Sequence, residues 1–236
     1  MTELAENLKL VRKRIENSAR KTGRRPEDIT LLAVTKTVSP ERLKEAVALG
    51  LTVFGENKVQ EALPKMEALK VGPPLTPAGV IWHFIGHLQT NKTGKAVENF
   101  RLVQSVDSAG LAGVLNRKAA ALGKTLDILC EVKLSPEATK FGVAPEELER
   151  FLEEISVMKA LKVRGLMAMA PLTGDKEAAR RVFRQAHRLW ERHVVGFCGQ
   201  PILSMGMSDD FETAIEEGST LVRIGRALFG PREKNT

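Results

Sequence analysis

The sequence contains no tyrosine, and aromatic residues make up only 5% of its 236 positions. Proteins that bind single-stranded nucleic acid stack the bases on aromatic side chains, and this chain offers few of them. The formal net charge of +7 favours an anionic partner, but most basic residues alternate with glutamates, as on an ordinary solvated surface. We therefore expect no nucleic-acid partner.

Cysteine is also scarce, since Cys130 and Cys198 are the two in the chain and lack the spacing of a metal site. Two thiols in a chain of this length indicate a reducing compartment rather than a disulfide framework. No segment reaches the roughly 18 consecutive apolar residues of a membrane helix, and the charged start lacks the apolar stretch of a secretory signal. These absences predict a cytoplasmic protein with no membrane partner.

Short apolar runs alternate with helical stretches along the chain. Parallel strands that are buried on both faces have this continuous apolar character. The runs lie at residues 29–36, 52–56, 81–86, 102–108, 127–133, 162–170, 202–208 and 221–230. The strict alternation predicts a parallel sheet, and eight units predict that the sheet closes into a barrel.

The predicted fold is therefore α/β, a single (β/α)8 TIM barrel that spans residues 1–236 as one domain. Residues 3–21 place apolar side chains at helical spacing before the first strand, which predicts an extra N-terminal helix. An open doubly wound sheet is the alternative. It is disfavoured because the G-x-G-x-x-G fingerprint of dinucleotide-binding folds does not follow the first strand.

The active sites of such barrels form where the strands end, and Lys36 directly follows the apolar LLAVT of the first run. An isolated lysine at a strand end is usually a side chain that extends to water. However, a partly desolvated amine loses its proton more easily and suits imine formation. Asn57 directly follows the second run, where the roles of ligand contact and helix cap are compatible.

Two histidines lie in and directly after the third run. His83 and His87 are four residues apart, but a turn at Gly86 separates them and no third ligand has suitable spacing, so a zinc site is disfavoured. We expect His83 to be a hydrogen-bonded residue of the barrel interior.

The ends of the seventh and eighth runs resemble an anion site. TIM barrels often bind phosphate between the loops after these two strands. Ser204 and Ser208 flank the seventh loop, and Gly225 lies in the eighth run; hydroxyls and backbone N–H groups at such turns suit a phosphate. An ordinary strand-to-helix turn is the alternative. A lysine at strand one with this cradle would hold an aldehyde-bearing phosphate at both ends, with Met169 beside its ring.

Eight motifs carry a strong resemblance to a known family. They are LLAVTKTVSP, VFGENKVQE, WHFIGHLQTNK, QSVDS, KFGV, GLMAMAP, LSMGMSDD and VRIGRALFG, in order from about residue 30 to 230. The chain resembles the pyridoxal-phosphate homeostasis protein family, also described as the proline-synthetase co-transcribed homologue family. The resemblance implies a barrel of the alanine racemase N-terminal type that binds pyridoxal 5′-phosphate (PLP).

The resemblance also implies roles for individual residues. Lys36 forms the imine with the PLP aldehyde, Arg223 approaches the pyridine nitrogen, and Ser204 holds the phosphate together with the backbone of Gly225 and Arg226. The other residues implied to line the pocket are Asn57, His87, Met169, Met205 and Ser208. Many family members have a small hydroxyl residue where this chain has Arg226. A contact through the backbone N–H would survive that change, and a guanidinium that turns inward would offset the loss of a hydroxyl contact.

The chemistry implied by Arg223 bears on function. Arginine only donates hydrogen bonds, so a pyridine nitrogen that faces it accepts one and is a weak electron sink. Two-base alanine racemases use a lysine and a tyrosine, with the tyrosine supplied by a second domain and the partner subunit. This chain has no tyrosine and is expected to lack the second domain.

We therefore expect a PLP-binding protein of intracellular vitamin B6 and amino-acid homeostasis rather than an enzyme. PLP-dependent apoenzymes are its expected acceptors, and the expected state is a monomer. A PLP-dependent amino-acid racemase and a barrel enzyme that forms an imine with a sugar phosphate are the two alternatives.

Overall fold

The computed structural model describes residues 2–70, 79–135, 141–171, 173–196 and 199–231. Cys198 lies outside these residues, whereas Cys130 is a free and fully buried thiol. Among the described helices, none has both the length and the apolar character that crossing a bilayer requires.

Eight parallel strands close into a barrel in chain order, which confirms the predicted (β/α)8 fold. The strands are β1 (Thr30–Val34), β2 (Val53–Glu56), β3 (Ile81–Phe84), β4 (Leu102–Val106), β5 (Leu126–Glu131), β6 (Leu161–Met167), β7 (Ile202–Ser204) and β8 (Leu221–Ile224). The helices are α1 (Glu3–Lys21), α2 (Pro40–Ala48), α3 (Val59–Lys70), α4 (Thr93–Asn99), α5 (Ala109–Ala121), α6 (Leu148–Ser156), α7 (Lys176–His193), α8 (Phe211–Glu216) and α9 (Arg226–Phe229).

The continuous apolar character of the runs follows from burial on both faces of each strand. Leu32 and Val34 of β1 meet Leu221 of β8 in one cluster. Their neighbours in sequence, Ala33 and Val222, belong instead to the main core between strands and helices. Because side chains alternate along a strand, the smaller cluster fills the barrel interior and the larger core fills the layer outside it.

Helix α1 confirms the predicted N-terminal helix. The hydroxyl of Thr2 caps it by accepting a hydrogen bond from the N–H of Ala5 at 3.3 Å. Its apolar stripe packs against α8 and α9. The buried residues of this stripe are Leu4, Leu8, Val11, Ile15 and Ala19.

The eighth run differs from its prediction. The sequence predicts strand-like structure to residue 230, but β8 ends at Ile224 and a short helix, α9, begins at Arg226. Gly225 leaves the extended conformation with φ −114° and ψ −75°, and its carbonyl accepts from the N–H of Leu228 at 3.0 Å. The side chain of Asn7 in turn donates to the carbonyl of Leu228 at 3.0 Å, which holds α9 against α1.

Candidate functional site

Lys36 lies in a tight turn directly after β1. The N–H of Val38 donates to the carbonyl of Thr35 at 2.9 Å, so Lys36 and Thr37 occupy the two central positions. Thr37 has a φ of 65°, a left-handed conformation that costs a non-glycine residue about 1–3 kcal/mol. Lys36 is half-buried. A strained turn therefore carries Lys36 directly past the end of β1.

A buried ion pair lies against this turn. Lys65 of α3 donates from Nζ to Oε1 of Glu56 at 2.7 Å and to the carbonyl of Thr35 at 2.7 Å. The hydroxyl of Thr35 donates to the same Glu56 oxygen at 2.6 Å. Glu56 is fully buried and Lys65 is 8% exposed, so the residue before Lys36 is held by charged groups that water barely reaches.

Arg223 lies on β8, the strand that pairs with β1. Its Nη1 donates to the carbonyl and to the hydroxyl of Ser204, at 2.9 and 2.7 Å, and its Nη2 donates to the carbonyl of Ala168 at 3.1 Å. Burial lowers the pKa of Arg223 to about 10, while the carboxylates of Glu131 and Asp210 oppose that decrease. The guanidinium therefore remains charged at neutral pH.

A chain of buried hydrogen bonds continues from Arg223 through the barrel interior. The hydroxyl of Ser204 donates to Oε1 of Gln104 at 2.7 Å, and Nε2 of Gln104 lies 3.0 Å from Nδ1 of His83. Burial lowers the pKa of His83 to about 4, so the imidazole is neutral and Nδ1 accepts. Because arginine only donates, the hydrogen bonds run in one direction, from Arg223 to Ser204, then to Gln104 and finally to His83. The prediction that His83 is a hydrogen-bonded interior residue is confirmed.

Glu131 ends β5 beside this chain and is 5% exposed. Burial, with a smaller contribution from the charge of Asp107, raises its pKa to about 7, and the charge of Arg223 opposes this increase. A carboxyl group that is half protonated at neutral pH can donate as well as accept a hydrogen bond. Glu131 thus adds a titratable group to the site.

Asn57 and Gly86 meet where β2 and β3 end. The Oδ1 atom of Asn57 is buried and has no hydrogen-bond partner within the described residues. A Cβ atom at Gly86 would lie 2.7 Å from Cα of Asn57, so only glycine permits this close approach. Asn57 follows β2, the strand that pairs with β1, so its orphaned amide oxygen lies at the same end of the barrel as the Lys36 turn.

His87 lies at the rim of the site. Its ring stacks on Phe141 with centroids 3.7 Å apart, and its Nδ1 is 3.7 Å from Oδ2 of Asp107. The side chain is 43% exposed. His87 therefore borders the opening rather than the buried part of the site.

The residues predicted to hold a phosphate separate into two groups. The hydroxyl of Ser208 accepts from the N–H of Ala227 at 3.2 Å, which brings it to the start of α9, next to Gly225. Arg226 is exposed and its guanidinium pairs with Asp209. Ser204, in contrast, is fully buried and uses its hydroxyl on the interior chain.

The two predicted methionines also differ in environment. Met169 is half-buried, two residues past the end of β6. Met205 is fully buried in the main core outside the barrel. It follows Ser204 directly, and alternation along the chain turns its side chain to the opposite face.

Sequence reasoning missed several residues of this site. Gln104 and Glu131 lie inside apolar runs, and each stands two positions from an interior leucine, Leu102 or Leu129. That period-two spacing was the available signal for an inward polar side chain. No comparable signal linked Lys65, in the middle of α3, to the Lys36 turn.

The chain is similar to several known proteins. The alanine racemase N-terminal domain family matches residues 2–233. The pyridoxal phosphate homeostasis protein of Pseudomonas aeruginosa is 42% identical over 233 residues, which cover 99% of this chain and 97% of that protein. The same-named protein of Aquifex aeolicus is 41% identical over 229 residues, with 97% and 98% covered.

Solved structures show the same relationship. PipY of Synechococcus elongatus, solved with PLP bound, is 36% identical with a TM-score of 0.82 and covers 97% of this chain and 100% of its own. An alanine racemase of Clostridium difficile is 16% identical with a TM-score of 0.70, and 57% of that chain is covered, which shows a shared fold. The chain therefore belongs to the pyridoxal phosphate homeostasis protein family, within the wider alanine racemase N-terminal domain family.

Proposed function

We propose that this protein binds PLP as an imine on Lys36 and serves in intracellular PLP and amino-acid homeostasis. The observation that carries the proposal is the neighbourhood of Lys36 and Arg223. The strands β1 and β8 are parallel and paired, with Leu32 opposite Arg223. Lys36 follows the end of β1 and Arg223 is the next-to-last residue of β8, so both lie toward the same end of the barrel. Family membership supplies the identity of the ligand.

The pyridine end of the ligand is assigned to Arg223. Its three hydrogen bonds to Ser204 and Ala168 use three of the five guanidinium N–H groups. The remaining N–H groups can donate to a ring nitrogen, which must then be unprotonated. Asn57, whose buried Oδ1 has no partner in the described ranges, and Met169 are assigned to the pocket wall, with His87 at the rim.

The phosphate is assigned to Ser208 and to the backbone N–H groups at Gly225 and Arg226. The first N–H groups of a helix have no partner within it, and α9 begins here beside the Ser208 hydroxyl. The Arg226 side chain pairs with Asp209, so the backbone is the part of Arg226 that supplies the contact. Ser204 is assigned to the orientation of Arg223, and Met205 to the core.

These assignments favour a carrier over a catalyst. An unprotonated pyridine stabilises a carbanion weakly, and the absence of tyrosine removes the second base of a two-base racemase. An amino-acid racemase is the alternative with the same cofactor. A barrel enzyme that forms an imine with a sugar phosphate would use Lys36 and the phosphate cradle without PLP.

The absorption spectrum of the purified protein tests the proposal. We expect added PLP to produce the visible band of an imine, and borohydride reduction to fix the cofactor mass on the Lys36 peptide. Lys36→Ala should abolish both, whereas Lys44→Ala, at an exposed position on α2, should change neither. A wild-type protein that gains no band with PLP would refute PLP binding.

Two further assays separate carrier from enzyme. The PLP-loaded protein should restore activity to an apo aminotransferase, which would identify apoenzymes as acceptors. Single L-amino acids should keep their configuration during prolonged incubation, as judged by chiral chromatography. Conversion that depends on Lys36 would replace the carrier assignment with a racemase.

We further propose a cytoplasmic location and a monomeric state. The reduced, buried thiol of Cys130 fits a reducing compartment. All residues assigned to the ligand belong to one barrel, so the proposed site needs no partner subunit. Light scattering with and without PLP tests the monomer, and fractionation of cells that produce the protein tests the location.

A further inference from the structure

The turn that carries Lys36 is strained, and that strain has an identifiable support. Thr37 is the one non-glycine residue with a positive φ in the described ranges. A left-handed threonine persists where its surroundings determine it more strongly than its own preference.

Thr35 is bonded through every polar group it has. Its N–H donates to the carbonyl of Gly55 at 3.0 Å, and its hydroxyl donates to Glu56 at 2.6 Å. Its carbonyl accepts from Val38 at 2.9 Å and from Nζ of Lys65 at 2.7 Å. Thr35 thus joins the strained turn on one side to a buried ion pair on the other.

A buried ion pair is a weak source of stability. The desolvation of both charges offsets much of their attraction, and apolar replacements of similar volume are often neutral or stabilising. Glu56 is fully buried and Lys65 is nearly so. The location of this pair, bonded to the residue before Lys36, points to a role in geometry.

We propose that Lys65 and Glu56 are positioning residues for Lys36, because they hold Thr35 and so keep the Lys36–Thr37 turn in its left-handed form. In this arrangement the Lys36 amine reaches a ligand aldehyde without first rearranging the backbone. The inference builds on the proposed function, in which Lys36 forms the imine. Neither residue touches the ligand.

The double variant Glu56→Gln/Lys65→Met tests this role without leaving an unpaired buried charge. Its amide can still accept from the Thr35 hydroxyl, but the bond from Lys65 to the Thr35 carbonyl is lost. We expect the imine band to appear about tenfold more slowly after mixing with PLP, because the turn relaxes. Arg14→Met/Glu212→Gln removes an ion pair between α1 and α8 and should leave the rate unchanged.

Thr37→Gly distinguishes positioning from general destabilisation. Glycine adopts positive φ without a steric cost, so adding Thr37→Gly to the double variant should recover most of the lost rate. A loss of rate caused by general instability would not recover. Thr35→Val, which removes the hydroxyl contact and keeps both charges, provides a milder test if the double variant does not fold.

A second readout is independent of PLP. Reductive methylation of Lys36 by formaldehyde and cyanoborohydride, followed by peptide mass spectrometry, reports the reactivity of the amine itself. We expect the same order of rates: wild type fastest, the double variant slowest, and the Thr37→Gly combination in between. Equal rates in wild type and the double variant, in both assays, would overturn the positioning role. Failure of the wild type to bind PLP would refute the proposed function and leave the methylation test standing.

Discussion

The guanidinium of Arg223 donates to both the carbonyl and the hydroxyl oxygen of Ser204, at 2.9 and 2.7 Å. The Ser204 hydroxyl then donates onward to Gln104. Ser204 therefore orients Arg223 from within the barrel, while Ser208 lies four residues later at the start of α9. The two serines of one short motif have different environments, and substitutions should separate their roles.

Ser208→Ala and Ser204→Ala should affect different quantities. Loss of the Ser208 hydroxyl should weaken PLP affinity about tenfold or more, because a hydrogen bond to a charged group is worth roughly 1.5–3 kcal/mol. Loss of the Ser204 hydroxyl should lower the free energy of unfolding by about 1–3 kcal/mol, because Gln104 loses its donor. Spectroscopic titration with PLP and urea unfolding measure the two quantities. If Ser204→Ala weakened PLP affinity and Ser208→Ala lowered only stability, the phosphate contact would be assigned to Ser204.

Arg226→Ala should leave PLP affinity within about twofold of wild type. The Arg226 side chain is exposed and pairs with Asp209, and an exposed pair contributes about 0–1 kcal/mol. The proposed contact uses the backbone N–H, which alanine retains. The same PLP titration checks this, and a large loss of affinity would assign the guanidinium to the phosphate.

Gly86→Ala should disturb the pocket wall. Its Cβ would lie 2.7 Å from Cα of Asn57, so the Asn57 segment must move. We expect weaker PLP binding and a lower free energy of unfolding, by about 1–3 kcal/mol as for other overpacked sites. Gly94→Ala is the matched control, since a Cβ there meets nothing within 4 Å. Equal behaviour of the two variants would show that the contact is easily relieved.

Glu131 should make stability depend on pH. Burial raises its pKa to about 7 from the ordinary 4.5, so the folded protein keeps a proton that the unfolded chain releases. Below about pH 4.5 Glu131 is protonated in both the folded and the unfolded state, so it costs no stability there. The free energy of unfolding then falls as pH rises toward 7, by up to roughly 3 kcal/mol. Glu131→Gln should remove this decrease.

Urea unfolding of both proteins at several pH values measures the effect of Glu131. The difference between wild type and Glu131→Gln isolates this group, because His83 is common to both. Burial lowers the pKa of His83 to about 4, so its own contribution is lost as pH falls from about 6.5 toward 4. Parallel stability curves for the two proteins would contradict the raised pKa of Glu131.

The sequence by itself determined the barrel, its N-terminal helix and the position of Lys36. Each of these depends on a local pattern. Side chains alternate between the two faces of a strand and repeat every 3.6 residues along a helix. A lysine that directly follows an apolar run lies where the strand ends. The eighth run shows the limit of that reasoning, because continuous apolar character does not distinguish β8 from α9.

Tertiary structure alone decided how the polar side chains are connected. His83, Gln104, Ser204 and Arg223 lie on four different strands, and only the closure of the barrel brings them into one chain of hydrogen bonds. Likewise, a motif with two serines does not reveal which hydroxyl faces inward. Hydrogen bonds are short and directional, so their partners depend on distances across the fold that no local pattern encodes.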